Sequence, residues 1–271
     1  MKLEESIKKY LENSLVMKSR GTYEFEKVHL NALFSYLGDV SLNQINFYDL
    51  IRLMKQKGLS NNTINKRIGL MKRLLKFFNF EFENIPKLRE NNNRFDYLSA
   101  LEIKRIKKYL LVNLNYNSLL SIRNTQIMFV FIDTGIRLSE LMALKKTDYN
   151  ANLGLICLKK TKNHKERIVY LSSFTNELLK NFSLKGHYLF GCKLTYSIIR
   201  RIFEKVKKDL NLKKFSSHVL RHSLATNMLK NGAGIEDVAN ILGHSNYNIT
   251  RIYLHLDDEY MREKYDLIYP Y

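Results

Sequence analysis

Two histidines and an arginine near the start of one predicted helix have a spacing that suits phosphate chemistry. His218 and Arg221 are three residues apart, so both side chains project from the same face of the helix. A helix N-terminus already attracts anions, and a His and an Arg there make a phosphate site. His218 and His222 also have the spacing of a zinc-protease helix, but that motif requires Glu where Val219 stands. The pattern therefore favours a phosphate ligand over a metal ion.

Three more residues capable of chemistry lie before and after this helix. Arg137 lies two residues after Gly135, where a strongly apolar predicted helix stops. His244 lies at the predicted end of a short helix, and Tyr253 follows it by nine residues. His244 and Tyr253 each have an ordinary structural explanation on their own, since a His often caps a helix and one Tyr among 17 often packs as an amphipathic residue. Their order and spacing together favour a shared site.

The elements that must position these residues form a C-terminal domain of helices with one small sheet. Ser99 and Glu102 form a capping-box pattern at its first helix. Between residues 153 and 171 the pattern changes to alternation, which predicts a β-hairpin with a cationic tip at 162–165. Helical periodicity predicts further helices at 119–134, 173–182, 196–210, 217–230, 235–242, 247–254 and 257–268.

The hydrophobic periodicity of the first 80 residues predicts four helical segments and no strand. Three lie near residues 2–12, 22–37 and 46–57, and the fourth follows the capping residue Ser60. Periodicity is then lost around Pro86 and the polar run of asparagines. The predicted organisation is a helical domain at 1–84, a linker at 85–95 and a second domain at 96–271.

Length and charge agree with two domains and a polyanionic partner. The chain has 271 residues and a formal net charge of +19, and 15 basic against 4 acidic residues lie within 159–214. Such concentration favours nucleic acid, which releases counterions when Lys and Arg neutralise its phosphates. An anionic membrane surface and a Lys-rich proteome are the alternatives. The longest apolar run, 127–132, is too short to cross a membrane, and two isolated cysteines make neither a disulfide framework nor a zinc site.

In order and spacing, the segments 134–141, 218–223 and 242–245, followed by Tyr253, resemble the tyrosine recombinase/integrase family, particularly its Xer-like branch. The resemblance extends to the hairpin at 162–167 and to residues 18–78. It implies a mainly α, two-domain fold. An N-terminal SAM-like helical DNA-clamping domain would precede a C-terminal α+β catalytic domain with a small β-hairpin or sheet, which ends in an exchange helix at about 257–268.

The resemblance also implies a role for each site residue. Arg137 and Arg221 would clamp the non-bridging oxygens of the scissile phosphate, where negative charge builds up. Tyr253 would attack phosphorus and form a 3′-phosphotyrosyl link; Tyr260 and Tyr265 lack its nine-residue step from His244.

The remaining roles concern proton transfer and orientation. Lys162 would protonate the departing 5′-oxygen, although Lys159, Lys160 and Lys165 crowd the same hairpin. His218 would act as general base or phosphate hydrogen-bond donor, His244 as a second donor, and Glu140 would orient these groups. No metal and no cofactor is expected, because the arginines supply the positive charge.

DNA contacts are expected from two basic helices, by analogy with the family's C-shaped clamp. Most would be phosphate contacts without sequence information. The implied partner is double-stranded DNA with paired recombination sites. On synapsed DNA the chain would form a homo-tetramer through exchange of the C-terminal helix, and free in solution a monomer or weak oligomer, with a possible accessory protein. The candidate DNA-binding residues are Lys66, Arg67, Arg73, Tyr196, Ser197, Arg200 and Arg201.

The sequence therefore predicts a cytoplasmic, nucleoid-associated site-specific DNA recombinase that works through a Holliday junction without metal or ATP. A type IB topoisomerase is an alternative, because it uses similar Arg, Lys, His and Tyr chemistry. A catalytically silent DNA-binding protein would have no reason to retain the whole set. A metal-dependent nuclease or transposase would need a carboxylate triad, and the sequence shows no convincing cluster.

Overall fold

The computed structural model describes residues 1–90, 96–159 and 166–243. The chain divides into two compact units, residues 1–93 and 94–271. Each unit has its own hydrophobic core.

Within residues 1–90, the first unit has four α-helices, and three of them begin at polar capping residues. The side chains of Ser19, Asn46 and Ser60 accept hydrogen bonds from backbone N–H groups of the helices that they precede. Leu30, Leu50 and other fully buried apolar residues from all four helices form the core. The helices are α1 (Leu3–Met17), α2 (Arg20–Leu37), α3 (Phe47–Gln56) and α4 (Asn61–Phe77).

Helix α1 continues past its predicted end at residue 12, and the prediction of that boundary was wrong. Asn13 suggested a stop, but the side chain of the next residue, Ser14, donates to the buried carboxylate of Glu26 on α2 (2.6 Å). Lys18 donates to the same carboxylate (2.9 Å). The ion pair between Lys18 and Glu26 therefore stabilises the last turn of α1. A local sequence pattern does not encode such a tertiary contact.

The segment 85–90, where the predicted linker begins, packs on α4. Ile85 is buried in the core of the first unit. The Asn65 side chain donates to the carbonyl of Leu88 and accepts from its N–H, both at 2.9 Å. The domain limits at 84 and 96 remain a prediction, and the contacts of residues 85–90 belong to the first unit.

The second unit is built around one buried helix. Ten residues of α6 (Leu119–Thr134), among them Phe129 and Phe131, are buried, which agrees with its strongly apolar sequence. Ser99 and Glu102 form the predicted capping box at α5 (Ala100–Val112). The other helices are α7 (Leu138–Ala143), α8 (Ser173–Asn181), α9 (Tyr196–Asp209), α10 (Ser217–Lys230) and α11 (Ile235–Leu242).

A small antiparallel sheet lies in the second unit. Its strands are β1 (Tyr149–Asn150), β2 (Leu155–Leu158) and β3 (Arg167–Tyr170), in the order β1-β2-β3. Leu158 pairs with Arg167 at the end of β2 that leads to the hairpin turn. The strands of the predicted hairpin are therefore present, the two-residue strand β1 was not predicted, and the cationic tip lies outside the described residues.

The mainly α fold with one small sheet confirms the predicted fold class. The predicted helices 247–254 and 257–268 lie outside the described residues. Within residues 1–90, 96–159 and 166–243, no helix has the length and apolar content needed to traverse a bilayer.

Candidate active site

The turn after α6 places Arg137 at the start of the next helix. Gly135 ends α6 in the left-handed region (φ 54°), which a glycine adopts without steric cost. A Cβ at this position would lie 3.1 Å from the side chains of Leu224 and Leu242. The tight turn thus lets the chain pass close to α10 and α11 and start α7 at Arg137.

Arg137 makes polar contacts in two directions. Its guanidinium donates to Glu140 Oε1 (2.9 Å) and to the carbonyl of Gly243 (2.8 Å). Its backbone N–H donates to Glu140 Oε2 (3.0 Å), so the same carboxylate caps the start of α7 and fixes the guanidinium. A quarter of the Arg137 side chain (26%) stays exposed. Its guanidinium is oriented by the protein and still accessible to a ligand.

Arg221, on α10, binds the C-terminal end of α11, where the carbonyl of Gly243 also accepts from Arg137. It is buried, with 6% of the residue exposed. Its guanidinium donates to the carbonyls of Gly135 (2.8 Å) and Leu242 (2.5 Å). Arg137 and Arg221, 84 positions apart in the sequence, therefore donate to neighbouring carbonyls at the C-terminus of α11.

A third arginine, which was not among the predicted site residues, completes this arrangement. Arg167 on β3 donates to the carbonyl of Ile241 (2.8 Å) and to Glu140 Oε2 (2.5 Å). Three successive carbonyls, those of residues 241, 242 and 243, thus each accept from a different arginine. The alternation of β3 is the sequence signal that could have indicated it, because Arg167 shares the inward face with the buried Val169.

The electrostatics of this cluster follow from burial and compensating charge. The C-terminus of a helix carries partial negative charge, which favours cations at the last carbonyls. Burial lowers the pKa of the Arg167 guanidinium from its ordinary value, the charge and hydrogen bond of Glu140 oppose this shift, and the positive charge of Arg137 adds to it. Glu140, with 3% of its side chain exposed, is the carboxylate that balances both guanidinium groups.

The two histidines of α10 differ in environment. His218 is exposed in the first turn of the helix, whereas His222 is half-buried. Burial, followed by the positive charges of His218 and Arg221, lowers the pKa of His222 to about 4. The exposed His218 is the one whose position suits an external ligand.

The remaining predicted catalytic residues are Lys162, His244 and Tyr253, and all three lie outside the described residues. The structure brings Arg137, Glu140 and Arg221 to the end of α11, and His218 lies one turn before Arg221 on α10. His244 follows Gly243 directly in sequence. Their predicted roles remain predictions.

Comparison with known proteins identifies the relatives of this chain. The family model described as the phage integrase family matches residues 97–260, which is more than half of the chain. The chain belongs to the phage integrase family. This membership confirms the resemblance drawn from the four motifs.

Individual relatives of this integrase are named tyrosine recombinases. Tyrosine recombinase XerC of Listeria welshimeri is 29% identical over 99% of this chain and 98% of its own length. Tyrosine recombinase XerA of Saccharolobus solfataricus is 31% identical over 78% of this chain and 69% of its own length. The integrase is therefore an enzyme of site-specific recombination, and the relatives do not favour the topoisomerase and silent-binder alternatives.

A solved structure shows the same fold. The Tn1549 transposon integrase, solved in complex with transposon right end DNA, superposes with a TM-score of 0.80. It is 16% identical and is matched over 99% of both chains.

The candidate DNA-binding residues of the integrase divide between its two units. On α9, Tyr196, Ser197, Arg200 and Arg201 are all exposed, and Arg200 pairs with Glu204 one turn later (2.6 Å). These four residues lie along one side of the helix, because positions one turn apart face the same way.

The three candidates on α4 are less alike. Lys66 is exposed, and Arg73 is exposed with its Nε 3.9 Å from Glu26. Arg67 is half-buried. Its guanidinium donates to the hydroxyl of Tyr36 (2.8 Å) and lies over the aromatic ring of Tyr36. Lys66 and Arg73 are therefore the members of this set with side chains directed to solvent.

A cavity of about 450 Å³ lies beside α7 of the integrase. Glu140 lines one edge of this cavity, and Lys145, Lys159 and Lys193 line it elsewhere. Asp148 also lines this cavity, with its carboxylate 3.9 Å from Lys159 Nζ, so acidic, basic and apolar side chains share the lining. Within the described ranges no group of three or more His, Cys, Asp or Glu residues has the arrangement of a metal site. Metal independence stays a prediction.

Proposed function

We propose that this integrase cleaves and rejoins DNA strands at paired recombination sites through a 3′-phosphotyrosyl intermediate, without a metal ion or ATP. Tyr253 is the nucleophile, and Arg137 and Arg221 bind the scissile phosphate. Strand exchange proceeds through a Holliday junction.

The observation that carries the proposal is the convergence of two arginines from distant elements on one helix end. Arg137 and Arg221 donate to the carbonyls of Gly243 and Leu242 at 2.8 Å and 2.5 Å. The planar fork of a guanidinium matches the paired oxygens of a phosphate, and two such forks can stabilise the charge of a phosphorane. Removal of one such preorganised donor typically costs about 100- to 1,000-fold in rate.

The cleavage step exchanges one phosphoester bond for another. The Tyr253 hydroxyl oxygen bonds to phosphorus, and the bond between phosphorus and the 5′-oxygen breaks. The phenol proton passes to a base, and the released 5′-oxygen receives a proton and leaves as a hydroxyl. Because phenolate is a good leaving group, the second strand's 5′-hydroxyl can reverse the step. The exchange therefore conserves the phosphoester and needs no ATP.

Three residues are proposed to move or donate protons around this step. Lys162 protonates the leaving 5′-oxygen. His218, which is exposed at the start of α10, accepts the tyrosine proton or donates to a phosphate oxygen. His244 donates to the other side of the phosphate.

Double-stranded DNA is the proposed partner because the chain is strongly basic and because a structurally similar protein was solved with DNA. The net charge of +19 and the exposed basic side of α9 favour a polyanion. The structurally similar Tn1549 integrase was solved with transposon DNA. The active assembly is proposed to be a homo-tetramer on synapsed DNA, joined by exchange of the C-terminal helix at about 257–268.

A nicked suicide substrate tests the chemistry. The substrate is a duplex that carries candidate sites from the DNA flanking the gene, and the reaction contains EDTA. We expect the wild-type protein to form a denaturation-resistant protein–DNA adduct and Tyr253→Phe to form none, because the phenylalanine lacks the attacking oxygen.

Three outcomes would contradict the proposal in different ways. An adduct that persists in Tyr253→Phe would show that another residue, with Tyr260 and Tyr265 as the next to test, is the nucleophile. An adduct that needs Mg²⁺ would contradict metal-independent cleavage. Supercoil relaxation without any requirement for a specific site would favour the alternative that the protein is a type IB topoisomerase.

A further inference from the structure

Arg167 is an almost buried charge at the centre of the arginine cluster. Its side chain is 8% exposed, and its guanidinium binds Glu140 and the carbonyl of Ile241. A charge removed from water is strongly disfavoured unless it is paired and hydrogen-bonded. Arg167 therefore depends on its ion pair with Glu140 and its hydrogen bond to Ile241 to offset the cost of burial.

The contacts of Arg167 lead directly to Arg137. Glu140 binds Arg167 through Oε2 and Arg137 through Oε1, so one carboxylate joins both guanidinium groups. The bond to Arg167 restricts rotation of this carboxylate, and the carboxylate in turn fixes the backbone and the side chain of Arg137. Without Arg167, the Glu140 carboxylate would lose one of the two guanidinium groups that the described structure gives it.

Arg167 also contacts the C-terminal end of α11. Arg167 binds the carbonyl of Ile241, and its Cδ and Nε lie against Gly243, where a Cβ would be 2.4 Å and 2.5 Å away. The same arginine thus fixes the helix end that receives Arg221 and Arg137 and that precedes His244 in sequence.

We propose that Arg167 is a positioning residue for DNA cleavage, which orients Arg137 through Glu140 and fixes the end of α11. The inference rests on the proposed function in one respect, namely that Arg137 binds the scissile phosphate. Unlike the exposed Arg201, Arg167 is buried, and its contact with Glu140 links it to Arg137. In this role Arg167 acts through Glu140 and the end of α11 and does not itself contact the scissile phosphate.

A double-mutant cycle tests the inference. The variants are Arg167→Met, Arg167→Lys, Arg137→Lys and the combination of Arg167→Met with Arg137→Lys. Arg105→Met is the matched control, because Arg105 is an exposed arginine of the same unit without an assigned role. The rate constant of adduct formation on the suicide substrate is measured at saturating protein, together with the Kd for the same DNA and the urea midpoint.

We expect Arg167→Met to lower the cleavage rate constant about 100-fold, the loss typical of a misplaced active-site group, with the Kd within about threefold. Arg167→Lys should recover part of the rate, because an ammonium can pair with Glu140 but lacks the fork for Ile241. In the Arg137→Lys background the further loss from Arg167→Met should be below about tenfold, since residues in one network are not additive.

Hydrogen exchange gives a readout that does not depend on activity. The Arg137 N–H is bound by Glu140, so Arg167→Met and Arg167→Lys should both speed its exchange, and Arg105→Met should not. Wild-type exchange and wild-type rate in Arg167→Lys would overturn the inference, as would an undiminished loss in the Arg137→Lys background. If the wild type binds DNA but forms no adduct, the proposed function fails, and the exchange measurement still decides whether Arg167 orients Arg137.

Discussion

At the residue scale, Glu140 determines how positive charge is arranged for a phosphate. One buried carboxylate binds the partly exposed Arg137 and the buried Arg167. The Arg137 guanidinium is therefore held in place before any ligand arrives, which lowers the entropy cost of binding. The ion pairs with Glu140 also offset the desolvation of the two cations.

Also at the residue scale, the two histidines of α10 differ in burial: His218 is exposed, and His222 is half-buried. Burial, and next the positive charges of His218 and Arg221, lower the pKa of His222 to about 4 from an ordinary value of 6.5. His222 therefore stays neutral at pH 7 in the folded protein.

We predict that His222 makes the folded state less stable as pH falls from 7 to 5. The unfolded chain binds a proton at His222 in this range and the folded chain does not, so protonation favours unfolding. Urea unfolding at pH 5, 6 and 7 should show a free energy of unfolding that rises with pH, and a weaker rise in His222→Gln. The exposed His187 provides the control variant His187→Gln. An unchanged slope in His222→Gln would contradict the prediction.

At the element scale, the C-terminus of α11 is the point at which β3, α7 and α10 meet. Arg167, Arg137 and Arg221 come from or next to these three elements and donate to its last carbonyls. The helix ends at Gly243, whose φ of 66° is left-handed and where a Cβ would collide with the Arg167 side chain. Helix termination and site geometry therefore depend on the same glycine.

Gly243→Ala should destabilise the protein and slow cleavage, and Gly232→Ala is its matched control. Both glycines have left-handed backbones, but a Cβ at residue 232 meets nothing within 4 Å, whereas one at residue 243 would lie 2.4 Å from Arg167 Cδ. The backbone strain costs about 1–2 kcal/mol in each, and overpacking adds about 1–3 kcal/mol at residue 243 alone. Equal urea midpoints for the two variants, or an unchanged adduct rate in Gly243→Ala, would contradict this account.

At the scale of the whole molecule, charge is distributed unevenly along the chain. The segment 159–214 has 15 basic and 4 acidic residues, whereas residues 216–271 have 5 and 7. Helix α9 lies in the basic segment and exposes Arg200 and Arg201. The proposed DNA contacts therefore predict a strong dependence of affinity on salt.

Arg201→Ala tests whether α9 contacts phosphate. Its affinity for DNA should fall for every sequence, and the slope of log K against log salt should become shallower by about 1, as for the loss of one phosphate contact. Arg105→Ala removes the same charge from an exposed position outside the proposed surface and should leave the slope unchanged. Fluorescence anisotropy across a salt series measures both, and equal slopes would contradict a phosphate contact at Arg201.

The sequence by itself determined the features that depend on neighbouring residues. The predicted limits of the three helices at 119–134, 217–230 and 235–242 agree with α6, α10 and α11. Glycines, capping side chains and apolar spacing act within one or two turns, so they can be read from the chain. The four motifs likewise indicated the family, and the family comparison confirms it.

Tertiary structure alone decided how distant residues meet. The three arginine–carbonyl contacts on α11 span 21, 74 and 106 positions, and the Asn65–Leu88 contacts span 23. Such pairs depend on how helices and strands pack, which periodicity within one element does not encode. Arg167 lay within the predicted hairpin without an assigned role for this reason, and only the contacts of β3 with α7 and α11 distinguish it from its neighbours in sequence.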